Sequence, residues 1–197
     1  MRRGMQTALV LLFGPLVATA QSDTWTIDKA HSEISFSVAH MAISEVTGKF
    51  KDFDVVFTSS KDDFSDASVK AVINVSSINT ENERRDNHLK SGDFFDAAKY
   101  PTISFTSTKF EKVGENQYKI TGDLTIRDVT RPATFDAEHR GTIESINELR
   151  AGWKAKTTVN RFDYNVQWNK VLETGNLVAG NMVDIILSLE FRKKVSS

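Results

Sequence analysis

His40 stands in step with Ile34, Phe36 and Val38 along the stretch His31 to Phe53, where apolar residues recur at every second position. A strand turns alternate side chains to opposite sides, so these four residues share one face, oily over most of its length and polar near its end. A neutral imidazole both donates to and accepts from a hydroxyl, carbonyl or quinone oxygen. The chemistry this arrangement offers is therefore recognition of an apolar molecule with a polar tip. The bland alternative for His40 is a histidine satisfied by a neighbouring backbone group or by Ser44. A second polar group comprises Arg84, Arg85, His88 and Lys90. Arg84 and His88 are four apart, so on a helix they share a face that could meet a phosphate or pyrophosphate head. Glu83 and Asp86 supply local partners, and Arg85 with Asp86 is expected to form an ion pair. His31, beside Ser32, reads as a turn-stabilising residue.

Catalysis finds little footing. The four histidines, His31, His40, His88 and His139, lack helical metal-ligand spacing, and neither HExxH nor GxSxG occurs. No cysteine is present to supply a thiolate or a disulfide framework. No catalytic residue, metal site or cofactor is assigned. A barrel enzyme using His40 with a carboxylate across the lumen is the residual enzymatic reading.

The elements that must position these residues are almost wholly β, in alternating runs near 24–28, 31–41, 46–58, 67–78, 102–110, 117–129, 132–144, 148–159 and 181–193. Long strands at regular spacing predict an antiparallel sandwich or barrel. Closure of about eight strands would remove exposed edges and leave an interior to be filled or to hold a ligand. One break stands out. Thr80 with Glu83 makes a capping-box signature, residues 81–90 have helix-forming composition, Gly92 is placed to end that helix, and a second helical turn near 93–98 carries Phe94 and Phe95. This segment is expected to cover one end of the β structure. The aromatics Phe94, Phe95, Phe105, Phe135, Trp153, Phe162 and Trp168 are the candidates to line the interior.

The whole chain sets outer bounds. Arg2 and Arg3 precede a short apolar run, Ala8 to Ala18, and Ala18-Thr19-Ala20 follows, which reads as a secretory signal over residues 1–20 with cleavage after Ala20. The apolar run is about half the roughly 20 residues of a spanning helix, so no integral membrane segment is expected in the mature chain. Without Arg2 and Arg3 there remain 23 basic against 26 acidic residues, a net charge of −3, which leaves no basic excess for nucleic acid. Residues 21–197 read as one domain.

Beyond these patterns, the chain resembles the YceI-like family. The resemblance runs through Trp25-Thr26-Ile27-Asp28, His31-Ser32, His40-Met41 and Gly48. Its most specific segment is Arg85-Asp86-Asn87-His88-Leu89-Lys90-Ser91-Gly92-Asp93-Phe94-Phe95-Asp96, and it continues through Tyr100-Pro101, Gly122-Asp123-Leu124-Thr125-Ile126 and Val129-Thr130-Arg131-Pro132. Two positions depart from the family pattern, Asp128 and Asn165; asparagine tolerates a left-handed backbone better than other non-glycine residues. The resemblance implies an eight-stranded lipocalin-like barrel with an apolar tunnel, no shared enzymatic reaction, and a periplasmic location. The expected ligand is an isoprenoid lipid, either a polyprenyl chain or an isoprenoid quinone; the alternative is a fatty acid or fatty amide in the same tunnel. Expected ligand contacts are Ile34, Phe36, Val38, His40, Arg84, His88, Phe94, Phe105 and Trp153. A homodimer, and an interaction or stress protein whose barrel merely stores cargo, are further possibilities.

Overall fold

A computed structural model describes residues 23–195 apart from 174 and 176. The expected signal segment lies outside the described residues. Eleven strands form, all paired antiparallel: β1 (Asp23–Ile27), β2 (Glu33–His40), β3 (Ser44–Phe50), β4 (Phe53–Ser59), β5 (Ser68–Asn74), β6 (Ile78–Asn79), β7 (Thr102–Lys112), β8 (Gln117–Ile126), β9 (Val129–Ser145), β10 (Glu148–Asn160) and β11 (Ala179–Lys194), with one helix, α1 (Glu83–Lys90). The barrel nevertheless has eight staves. β1 and β2 run in succession along one edge of β11, pairing Ile27 with Phe191 and Ile34 with Leu187. β4 and β3 lie along their other side, β5 and β6 along β4 and β3, and β7 to β11 complete an up-and-down meander that closes on its own beginning.

The breaks follow from residues whose side chains offer the backbone a local partner. Asp28 accepts from the Ala30 N–H at 3.1 Å and opens a short 3-10 turn at Lys29–His31, while Asn74 accepts from the Ser76 N–H at 3.0 Å and opens another at Val75–Ser77. The run expected at 67–78 is thus interrupted, and the one expected at 46–58 breaks at Lys51-Asp52, between β3 and β4. Between β8 and β9 the turn falls at Arg127-Asp128, earlier than expected, and Pro132 lies within β9. Around α1 the capping differs too. The N-cap is Asn82, which accepts from the Arg85 N–H at 3.0 Å, and the C-cap is Ser91. Residues 93–98 form hydrogen-bonded turns rather than a second helix, with Asp96 and Ala97 donating to the Ser91 and Lys90 carbonyls.

The two ends of the barrel differ. At one end lie the start of β1, the end of β11, the loop 60–67 and the turns near 113–116 and 146–147; at the other lie the β2–β3 turn, the α1 segment, the Arg127-Asp128 turn and the loop 161–178. Rings fill the first end. Phe64, held at φ 55° in its loop, packs at centroid distances of 5.8 Å from Trp25, 5.4 Å from Phe57 and 5.3 Å from Trp153, and Tyr118 lies 5.0 Å from Trp153. The Phe64 loop is tied down by the Tyr118 hydroxyl, which donates to the Asp63 carbonyl at 2.8 Å, and by Asp66, which accepts from the Ser59 hydroxyl at 2.7 Å and the Ser60 N–H at 3.0 Å. The Ser60 hydroxyl, which also donates to this carboxylate, together with these two bonds holds the Asp66 carboxyl well below the ordinary carboxylate range.

Candidate functional site

The aromatic packing stops part-way along the lumen. Beyond it lies a cavity of about 320 Å³, at the low end of the range for small-molecule sites. Val38, Val159, Val183, Ile185, Leu187 and Leu189 line it and stay only half-buried because they border open space. Phe36 reaches this space by lying across β3 at Gly48, where an added methyl would collide with the Phe36 ring and with Thr80. The floor is built from Phe57, Phe110 and Trp153. The Trp153 indole nitrogen is buried there without a hydrogen-bond partner.

Eight of the nine expected contacts border this one cavity: Ile34, Phe36, Val38, His40, His88, Phe94, Phe105 and Trp153. Arg84 does not. It is exposed on the outer face of α1, and its neighbour Arg85 lines the cavity instead. An α-helix rotates by about 100° from each residue to the next, so choosing between adjacent arginines needs the docked helix, not its sequence. Phe162 is also absent from the wall; its ring lies against the Arg161 guanidinium, 4.4 Å from the centroid, and Arg161 faces the cavity in its place.

The charged and imidazole groups of the wall, His40, Arg85, His88 and Arg161, all belong to elements at the mouth. His40 is half-buried, and its backbone carbonyl, rather than its imidazole, accepts from the Ser44 hydroxyl at 3.4 Å. Arg85 donates to the Thr80 hydroxyl and carbonyl, each at 2.7 Å, and Asp86 accepts from the same hydroxyl at 2.6 Å and from the Thr80 N–H at 2.9 Å. The expected Arg85–Asp86 ion pair is thus replaced by a shared threonine that fastens the helix to the wall. Arg161, which opens the segment of family likeness ending at Asn165 but was assigned no role from the sequence, is buried and donates to the carbonyls of Gly180 (2.8 Å), Val166 (2.7 Å) and Ala179 (3.0 Å). Burial pushes its pKa below the ordinary arginine value.

Two flaps meet over the mouth. His88 bonds Asp93 through Nε2 at 2.8 Å and sets its ring 5.0 Å from Phe94 and 5.5 Å from Trp168, while Phe94 and Trp168 lie 5.3 Å apart. Arg127 clasps both flaps, donating from Nη1 to the Phe94 carbonyl at 2.8 Å and the Asn165 carbonyl at 2.7 Å. The two residues that depart from the family pattern are partners: Asn165, at φ 59°, donates to the Asp128 carboxylate at 3.2 Å. Asp128 therefore belongs to this clasp.

One metal-type donor set occurs among the described residues, Asp28, His31 and Glu190, with ligand atoms within 4.8 Å of one another. Arg150 already lies among them, 3.2 Å from Asp28 and 2.7 Å from Glu190. Burial works to raise the Asp28 pKa, yet hydrogen bonds from His31 and Ala30 hold it below its ordinary value. This is a structural ion cluster stitching the β1–β2 turn to β10 and β11.

A family model described as "YceI-like domain" matches residues 25–191. A UPF0312 protein of Staphylococcus aureus (strain N315) is 41% identical over 169 residues, covering 85% of this chain and 96% of the relative. The solved YceI protein of Campylobacter jejuni is 33% identical with a TM-score of 0.64, covering 86% of this chain and 96% of that one. A polyisoprenoid binding domain from Saccharophagus degradans shares the fold, with a TM-score of 0.58 at 15% identity over 86% of this chain and 98% of that one.

Proposed function

Because this chain belongs to the YceI-like family, a family of barrel binding domains, we propose that it is an exported periplasmic protein that sequesters or carries an isoprenoid lipid, a polyprenyl chain or isoprenoid quinone, in the barrel cavity. The observation that carries this reading is the distribution of groups around the 320 Å³ space: apolar side chains form the depth and sides, and the imidazole and guanidinium groups gather at the mouth. A tail enters first and an oxygen-bearing head stays near His40 and His88. Each buried methylene contributes on the order of 0.8 kcal/mol before ordering costs, so tail burial supplies most of the affinity and the head supplies selectivity. The neighbour's description as a polyisoprenoid binding domain points the same way. The Arg85 and Arg161 guanidinium groups on the wall favour a second reading, a fatty acid whose carboxylate meets one of them.

Native mass spectrometry of protein purified without detergent from its own host, with organic extraction of what it carries, tests the proposal. A stoichiometric prenyl chain or quinone is the expected result. An extracted fatty acid would establish the second reading, and a barrel that takes up neither a prenyl quinone nor palmitate on titration would overturn both.

A further inference from the structure

The β2–β3 turn carries its apolar side chains outward. Met41 and Ala42 hold φ values of 52° and 63°, and the side chains that follow from this turn leave Met41 38% and Ile43 87% exposed. The turn is not isolated. The Met41 N–H donates to the Val178 carbonyl at 3.0 Å, the Val178 N–H donates to the Lys170 carbonyl at 2.9 Å, and Val171 pairs with Leu177 in a single bridge. Two chain segments from opposite ends of the sequence are thereby joined into one rim, which presents Met41, Ile43 and the 55% exposed Val171 beside the basic Lys170. The same strands continue inward as cavity wall through Val38, His40 and Val46.

We propose that this rim is a membrane-docking edge that seats in the interface of a lipid bilayer and brings the mouth of the cavity to the bilayer surface. The proposal rests on the lipid-carrier reading for its purpose, though not for its test. A protein partner is the weaker occupant: a stable interface needs about 800 Å² from each side with a packed centre, and three side chains on a turn and its neighbour fall well short of that. A few apolar side chains with an adjacent lysine are the usual means by which a protein enters the headgroup boundary, the apolar groups partitioning and the cation meeting anionic lipid. Docking there shortens the path by which an insoluble tail passes from bilayer to barrel.

Flotation with mixed phosphatidylethanolamine and phosphatidylglycerol vesicles separates this from a merely exposed isoleucine, because Ile146, 92% exposed, lies at the opposite end and serves as a matched control. Met41→Ser with Ile43→Asp is expected to lower vesicle partitioning about tenfold or more, Ile43→Trp to raise it, and Ile146→Asp to leave it unchanged. Uptake of a prenyl quinone dispersed in micelles is measured on the same variants. Reduced flotation with micellar uptake retained supports docking. Flotation of the double variant equal to that of the native chain, or an equal loss from Ile146→Asp, overturns it. Absence of micellar uptake in every variant overturns the carrier reading alone, leaving flotation to decide the edge.

Discussion

A single imidazole at the end of an oily wall is a modest chemical resource, and its contribution is measurable by comparison of ligands. Replacing His40 with Leu removes the hydrogen bond but keeps the bulk, so affinity for a prenyl quinone should fall by about fivefold, near 1 kcal/mol, while a prenyl hydrocarbon of equal length binds unchanged; parallel titrations by intrinsic fluorescence check this. His139 tests a different property. It sits at the filled end, its ring centroid 4.9 Å from Trp153, and burial pushes its pKa below the ordinary 6.5. The folded state therefore binds the proton more weakly than the unfolded chain. Stability is fully present above pH 6.5 and is lost as pH falls from there through the lower folded value. His139→Phe should remove that part of the acid slope, which denaturant midpoints at several pH values will reveal. At this scale the sequence was readable where alternation aligned residues, as for Ile34, Phe36, Val38 and His40, and opaque where a side chain's direction depended on a turn. Arg85 stands where Arg84 was expected and Arg161 where Phe162 was, for that reason, and nothing in the spacing marked Phe64 as the seal of one end.

At the scale of elements, the strand ladder followed from periodicity, whereas the turns opened by Asp28 and Asn74 and the true helix cap at Asn82 depended on which short polar side chain captured which N–H. Several candidates competed at each site, Thr80 among them, and tertiary bonding to Asp86 decided that one. Arg127 bridges the two flaps with a pair of hydrogen bonds. Loss of a hydrogen bond to a charged group costs about 1.5–3 kcal/mol, so Arg127→Ala should loosen both flaps while the strands hold. Amide exchange is expected to quicken in 91–97 and 161–166, and the ligand dissociation rate to rise; unaltered exchange in both segments would show that the ring cluster of His88, Phe94 and Trp168 suffices.

For the whole molecule, the division of the lumen into a ring-filled part and an open part would, on the proposed lipid binding, set the length of tail that fits. Trp153 forms the boundary, and Trp153→Ala should cost about 3–5 kcal/mol of stability while opening the floor toward the filled end. Competition between prenyl quinones of different tail lengths is then expected to shift toward the longer one. The closed meander has another result. Its first and last strands meet at the sealed end, where Lys193 pairs with Asp23 at 2.8 Å. Residues 23–193 thus form nearly a ring, so a short linker joining Asp23 to Lys193, with new termini cut into an exposed hairpin turn, should give a circular permutant that keeps every ladder. A tether or reporter attached beside Asp23 or Lys193 would hang from the sealed face and leave the opposite opening unobstructed.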